Sequence, residues 1–248
     1  MPENKINILS TRPLDQKLIE EAASKNIFIE CISFIETEMM LNDILKEKIL
    51  SLAHQQINVV FTSMNSVEAV AKHLVNIKPN WKIFCIGSAT KDLVKKYFAE
   101  SSIAEIADAA SVLADRIILQ NNISSVIFFC GDQRRDELPE KLAQHKIEVK
   151  EIEVYKTIAL PEKINVDYDA IIFYSPSAVE SFFSVNKINK HTILFAIGNT
   201  TASEIKKYSC NKIVVAENPS KKLLAEQAIN YFETNPSSYS PLSISPNL

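Results

Sequence analysis

One short stretch occurs twice in this chain, and it constrains the fold more than any other feature. Ile86-Gly87-Ser88-Ala89-Thr90 follows the strand-forming run Lys82-Ile83-Phe84-Cys85 and leads into an amphipathic helical pattern. Ile197-Gly198-Asn199-Thr200-Thr201 follows Thr192-Ile193-Leu194-Phe195-Ala196 and does the same. The 248 residues include only 3 glycines, so two of them in matching places are informative. Glycine permits positive φ or the close approach of another group, which a strand running straight into a helix needs. Ser88 and Asn199 suit N-cap positions, and the helix start behind each offers unpaired N–H groups to an anion.

The match extends well beyond the glycines. Val60-Phe61-Thr62-Ser63 with Val67-Glu68 parallels Ile172-Phe173-Tyr174-Ser175 with Val179-Glu180, and Leu113-Ala114 parallels Leu224-Ala225. The offset stays at 111 or 112 residues throughout, as a duplicated α/β unit requires and a short-period solenoid does not. A weaker parallel, at an offset of 120, links Lys25-Asn26-Ile27 through Thr37 with His145-Lys146-Ile147 through Thr157.

Around these marks the chain alternates. Stretches such as Ile6 to Leu9, Ile27 to Ser33, the nearly all-apolar Ile57 to Thr62, Val126 to Cys130, Ile147 to Val154, Ala170 to Tyr174 and Ile213 to Ala216 read as strands. Between them lie ten- to fifteen-residue stripes at helical spacing, for example Val67, Val70, Ala71 and Leu74. Pro13 suits the first position of a helix reaching about Ser24. Near-continuous apolar strands alternating with helices predict parallel sheets covered on both faces. From Asn235 onward the Pro/Ser-rich, uncharged sequence reads as a disordered tail.

Composition narrows the function. With 46% hydrophobic and 23% charged residues and a net charge of −3, the chain is an ordinary globular protein without a general pull on nucleic acid or anionic membrane. No run approaches the roughly 18 to 20 apolar residues of a membrane helix. Met1-Pro2-Glu3-Asn4-Lys5 lacks a secretory core, so a cytoplasmic location is expected. Cys31, Cys85, Cys130 and Cys210 lie far apart without C-x-x-C or histidines at ligand spacing, which predicts buried reduced thiols and no metal. No G-x-G-x-x-G, P-loop or G-x-S-x-G is present, and no candidate central strand ends in the aspartate of a phospho-acceptor receiver.

Open parallel sheets bind ligands beyond the carboxyl ends of their strands. The turns expected there carry hydroxyls, backbone N–H groups and the arginines Arg12 and Arg135, which is equipment for carboxylates or phosphates. Each feature also has a plain reading. Ser63, Ser88, Asn199 and Ser177 suit simple helix caps, the glycines helix-to-strand packing, the arginines surface ion pairs, and Tyr155 an aromatic packing role.

Seven short motifs in order resemble those of the uroporphyrinogen-III synthases, the cyclising family of tetrapyrrole biosynthesis. They are Leu9-Ser10-Thr11-Arg12-Pro13; Phe61-Thr62-Ser63 with Val67-Glu68; Ile86-Gly87-Ser88-Ala89-Thr90; Cys130-Gly131 with Arg135 and Leu138-Pro139; Val154-Tyr155-Lys156-Thr157; Phe173-Tyr174-Ser175-Pro176-Ser177; and Ala196-Ile197-Gly198-Asn199-Thr200-Thr201-Ala202. The resemblance implies two flavodoxin-like lobes, residues 1–34 with 160–248 and residues 35–159, joined by a two-stranded hinge at Phe34 to Glu38 and Tyr155 to Leu160. Periodicity alone would equally allow two consecutive halves.

The same resemblance implies a monomer without cofactor whose substrate is hydroxymethylbilane, a linear tetrapyrrole bearing acetate and propionate side chains. The family expels its terminal hydroxyl as water, closes the ring and inverts the last pyrrole. Under this reading Ser63, Gly87, Ser88 and Thr90 from one lobe and Ser175, Ser177, Gly198, Asn199 and Thr201 from the other cradle carboxylates across a cleft, with Arg12 and Arg135 beside them. Tyr155 matches the family's hinge-side tyrosine and would assist departure of the hydroxyl. Many relatives carry proline and often a basic residue where this chain has Met64-Asn65. That departure leaves room for the other reading, a non-catalytic two-lobed binding or sensory protein.

Overall fold

The computed structural model describes residues 5–40, 42–218 and 220–235; the expected tail beyond Asn235 lies outside the described residues. In chain order these residues form β1 (Ile6–Ser10), α1 (Gln16–Ala23), β2 (Ile27–Cys31), β3 (Ile35–Met39), α2 (Asp43–Ala53), β4 (Ile57–Phe61), α3 (Met64–His73), β5 (Trp81–Ile86), α4 (Ser88–Tyr97), β6 (Ile103–Ala107), α5 (Ala110–Leu119), β7 (Ser125–Gly131), α6 (Glu137–Gln144) and β8 (Glu148–Ala159). They continue with β9 (Ala170–Phe173), α7 (Pro176–Val185), β10 (Ile193–Ala196), α8 (Asn199–Ile205), β11 (Ile213–Val215) and α9 (Lys221–Thr234). Two compact units result: the described residues up to Glu36 together with those from Ala159, and Thr37–Ile158.

The first unit has the sheet order β11-β10-β9-β1-β2. Ranked along the chain this is the 2-1-3-4-5 arrangement of flavodoxin-like folds, with every pairing parallel. The second sheet reads β3-β8-β7-β4-β5-β6. Its strands β8-β7-β4-β5-β6 repeat the same parallel arrangement with the last two strands of the segment standing where the first two stand in the other unit. The duplication is therefore a circular permutation, built from both chain ends in one unit and from the middle in the other. The weak parallel at offset 120 marks the permuted strands: Asn26 before β2 and Lys146 just before β8 share positive φ, 59° and 61°.

Both faces of each sheet are covered. In β4, Val59 and Phe61 join the core of Val67, Val70, Trp81, Ile83 and Cys85, while Val60 joins Phe84, Leu113, Ile117, Phe128 and Leu138. In β9, Ala170 and Ile172 pack with Leu224, Ala228 and Phe232 of α9, whereas Ile171 and Phe173 pack with Phe182 and Ile205. At about 1.5 to 3 kcal/mol for each fully buried large side chain, three strand residues rival the typical net stability of roughly 5 to 15 kcal/mol. This explains why the central strands carry no polar alternation.

Some local expectations give way. α1 starts at Gln16, with Asp15 accepting from the Lys17 N–H at 3.0 Å, so Pro13 precedes the helix instead of opening it. The chain stays extended there because the Thr11 N–H and hydroxyl both donate to the Ile172 carbonyl, at 3.0 and 2.8 Å. β8 runs on through Tyr155 to Ala159, past the expected end at Val154, and lies beside β3. The Leu160 N–H donates to the Phe34 carbonyl and the Met40 N–H to the Val154 carbonyl, which is the antiparallel sense.

The cysteines bear on stability. Burial pushes the Cys85 thiol up to about 11 and, with help from Glu151, the Cys130 thiol up to about 12. Between the unfolded thiol value of 9.0 and those values, the unfolded chain releases protons that the folded chain keeps. Stability therefore falls as pH rises through that window. Urea unfolding followed from pH 7.5 to 10.5 checks this: the midpoint declines above pH 9, less steeply in a Cys85→Ala/Cys130→Ala double variant. A wild-type midpoint that stays level contradicts the argument.

Candidate functional site

A parallel sheet brings all its strand ends to one edge, and the crevice where strand order reverses is the favoured ligand position. In the second unit this edge carries Ser63 after β4, Gly87 after β5, the Gly131 to Arg135 turn after β7, and Tyr155 within β8. In the first unit it carries Thr11 and Arg12 after β1, Ser175 after β9, and Gly198 after β10. In each unit, then, the sequence-selected residues of that unit share one sheet edge.

The repeated turns fold alike. Along Ile86 to Thr90 and along Ile197 to Thr201, burial runs in the same sequence: two half-buried residues, two exposed, one buried. Gly87 and Gly198 themselves occupy the cap positions of α4 and α8, without a side-chain cap. Ser88 and Asn199 are therefore the exposed first helical residues and not the caps. Thr90 and Thr201 turn inward, 5% and 1% exposed. The two glycines differ in backbone: Gly87 has φ 80°, which favours glycine, whereas Gly198 has φ 179°, which any residue adopts. A Cβ added at either would meet nothing within 4 Å, which removes the helix-packing explanation for both.

Ser63 and Ser175 do cap helices. The Ser63 hydroxyl oxygen accepts from the Asn65 N–H at 3.1 Å, and the Ser175 oxygen accepts from the Ala178 N–H at 3.2 Å. Ser177 lies within the first turn of α7, behind Pro176, and the cap of that helix is Ser175. Arg135 is exposed on the turn after β7, while its neighbour Arg134 is occupied by Glu151 and Asp136. Asn65 donates to the Thr37 hydroxyl at 3.2 Å and so serves the packing of its own unit.

Tyr155 stands opposite Gly131 in the parallel register of β7 and β8. Its ring fills the space a side chain at 131 would need: a Cβ there would lie 2.4 Å from ring carbons and 2.8 Å from the hydroxyl oxygen. Burial raises the Tyr155 phenol above its usual range, opposed by a hydrogen bond from Ser63. At neutral pH the group is therefore a protonated hydroxyl, a donor held against a glycine and beside the β4 turn. Asp132 closes the turn, its carboxylate accepting from the Thr157 N–H at 3.0 Å while its own N–H donates to the Tyr155 carbonyl.

Sequence reasoning missed Asp132, the Tyr174 hydroxyl and Lys221. Tyr174 was visible only as part of a motif, and its hydroxyl is buried without a hydrogen-bond partner. Lys221 opens α9. A lysine among charged neighbours gives no signal of its place at a strand edge.

The family model described as uroporphyrinogen-III synthase HemD matches residues 16–226. The chain is 25% identical over 179 residues to a uroporphyrinogen-III synthase of Chlorobaculum parvum, covering 64% of this chain and 73% of that protein. It is 24% identical over 202 residues to the uroporphyrinogen-III synthase of Saccharomyces cerevisiae, covering 68% and 74%. Among solved structures, uroporphyrinogen-III synthetase from Helicobacter pylori has a TM-score of 0.65 at 15% identity, covering 91% of this chain and 99% of that one. A mutant uroporphyrinogen III synthase from Thermus thermophilus has a TM-score of 0.64 at 13% identity, covering 92% and 99%. At such identities the structural likeness concerns the fold.

Two substitutions separate the glycines by stability alone. Gly87→Ala destabilises by about 1 to 2 kcal/mol because of its left-handed backbone, while Gly198→Ala leaves stability unchanged or up to about 1 kcal/mol higher. Denaturant titration checks both, and equal losses would contradict the distinction. Gly131→Ala costs about 1 to 3 kcal/mol by forcing the Tyr155 ring aside. The cost disappears in a Tyr155→Ala background, and a double-mutant cycle without coupling would refute the contact.

Proposed function

Because the chain belongs to the uroporphyrinogen-III synthase family, which cyclises hydroxymethylbilane in tetrapyrrole biosynthesis, we propose that the two strand edges described above hold the carboxylates of that bilane and that Tyr155 assists the loss of its hydroxyl. The observation that carries this assignment is the protonated Tyr155 hydroxyl, fixed against Gly131 and beside Ser63.

The reaction asks little of the protein in covalent terms. The terminal C–O bond breaks, the hydroxyl leaves as water, and the electron-rich pyrroles supply the electrons for its departure. A new C–C bond then forms at the substituted position of the last ring, which ends inverted. What decides the product is the folding of the substrate, because closure at the unsubstituted position gives the symmetric isomer. Positioning of this kind is where a protein gains most without acid–base chemistry of its own. Tyr155, a neutral phenol, donates a hydrogen bond to the departing oxygen; phenols are weak acids, so its share is modest.

For the carboxylates, Ser63, Gly87, Ser88 and Thr90 serve in the second unit, with Arg135 on the neighbouring turn. Ser175, Ser177, Gly198, Asn199 and Thr201 serve in the first, with Arg12. The exposed Ser88 and Asn199 meet carboxylates through side chain and backbone, and Thr90 and Thr201 stand buried behind them in the first turn of each helix. The open space before Gly87 and Gly198 lets a carboxylate come close to the backbone. The working form is taken to be a cytoplasmic monomer that needs no cofactor. Among the described residues no helix is long and apolar enough to cross a membrane.

Incubation with freshly prepared hydroxymethylbilane, followed by oxidation and isomer separation, tests the function: the type III isomer forms well above the uncatalysed background. Product that is all type I would exclude synthase activity. Tyr155→Phe lowers turnover by about 10- to 100-fold while its cooperative unfolding persists. Wild-type turnover in that variant removes Tyr155 from the mechanism.

A further inference from the structure

The crevice between β1 and β9, where the first unit's strand order reverses, brings to Arg12 two polar side chains that the functional reading has not used, Tyr174 and Lys221. β1 and β9 pair Ile8 with Ala170 and Ser10 with Ile172, and Arg12 and Tyr174 each follow two residues after the last pair. The two bonds from Thr11 to the Ile172 carbonyl fix that alignment. Tyr174 is 8% exposed, packs in the core shared with α1 and α9, and its hydroxyl has no hydrogen-bond partner. Ser10, the hydroxyl beside it, spends its proton on the Arg12 carbonyl at 2.6 Å. A phenol left so has lost hydration without gaining a bond, a cost that a ligand oxygen would remove.

Two cations stand at the same strand edge. Arg12 is half-buried, and Lys221 stands at the start of α9, whose cap Ser220 accepts from the Leu223 N–H. Lys222 has Glu226 at 3.6 Å, but among the described residues neither Arg12 nor Lys221 is joined to a carboxylate. Although the Lys221 residue as a whole is exposed, its amine is held below the ordinary lysine range, first by burial and then by the charge of Arg12. The Arg12 charge also acts on the Tyr174 phenol. All three stand at the carboxyl-end edge of one sheet, Arg12 after β1, Tyr174 after β9 and Lys221 one turn before Leu224, which packs in the same core as Tyr174; two like charges there repel until an anion lies between them.

We propose that Arg12, Lys221 and the Tyr174 hydroxyl form a pocket for one carboxylate at this strand edge, taken by an acetate or propionate side chain of the substrate; the identity of that substrate rests on the function proposed above. Arg12 and Lys221 neutralise the carboxylate, and the Tyr174 hydroxyl donates to one of its oxygens. The pocket is one-sided: in the second unit the residue corresponding to Tyr174 is Thr62, and the phenol at that edge, Tyr155, comes instead from β8 and lies against Gly131. It therefore distinguishes one end of the bilane from the other.

The test uses the full-length protein and uroporphyrin III, the oxidised eight-carboxylate product, titrated by fluorescence alongside turnover of hydroxymethylbilane. Lys221→Gln weakens uroporphyrin binding about tenfold and raises KM by a similar factor. Tyr174→Phe weakens binding several-fold while its melting temperature equals or exceeds that of the wild type, because the hydroxyl it loses was unbonded. Unchanged affinity in both variants, with a wild type that binds and converts its substrates, overturns the pocket and leaves the functional reading standing. Wild-type protein that neither binds uroporphyrin nor converts the bilane overturns the functional reading, and this pocket falls with it. Weaker binding in Tyr174→Phe accompanied by a lower melting temperature assigns the hydroxyl to the core and also refutes its role here.

Discussion

Parallel pairing is the constraint on which the rest of this structure depends. Strands that all run one way must end together, and each must hand over at once to a helix that returns across a covered face. Among the described residues ten strands run parallel in two sheets of one design, and eight of them lead into a helix, β2 and β8 passing to strands instead. The unpaired amides and hydroxyls of the strand-to-helix turns are thereby concentrated at one edge of each sheet. Ser63 and Ser175, Gly87 and Gly198, Thr90 and Thr201 occupy corresponding places because the pairing leaves them no other.

Such an edge suits a polyanion better than a cluster of fixed charges would. Net charge is −3, and the cations at the edges are few. In the proposed function binding rests on amides, hydroxyls and a small number of positioned cations, so an extended substrate with many similar side chains can be held at several points without being trapped at one. The donor at Tyr155 fits the same logic. Burial keeps it protonated, and Gly131 removes the side chain that would push its ring away. In the role proposed for it, a group so placed contributes chiefly through geometry, as a reaction driven by the pyrroles' own electrons requires.

Much of this was legible in the residues. The 111 to 112 offset announced two related sheets, and Val59-Val60-Phe61 announced strands covered on both sides. The caps at Ser63 and Ser175 belonged to the same pattern. The permutation was not legible from periodicity, because pairing β1 with β9 across 162 residues leaves no local trace; the family resemblance supplied it. The equivalence of the glycines was over-read: a turn of matching sequence and burial uses positive φ at Gly87 and an extended backbone at Gly198. Pro13 failed as a helix start because Thr11 is bound to a strand far away in sequence. Lys221 escaped notice for a similar reason, since only the fold brings the start of α9 to the carboxyl-end edge of the sheet.

The central claim is that the substrate's carboxylates are held at the carboxyl-end edges of both sheets. Amide chemical shifts recorded during titration with uroporphyrin III, and with its uncharged octamethyl ester as control, test it most directly. The account predicts that Ser63, Ser88, Ala89, Ser175, Asn199 and Thr200 amides shift with uroporphyrin and stay unmoved with the ester. Perturbations confined to the opposite strand ends, around Ile6, Ile57 and Ala170, would contradict it.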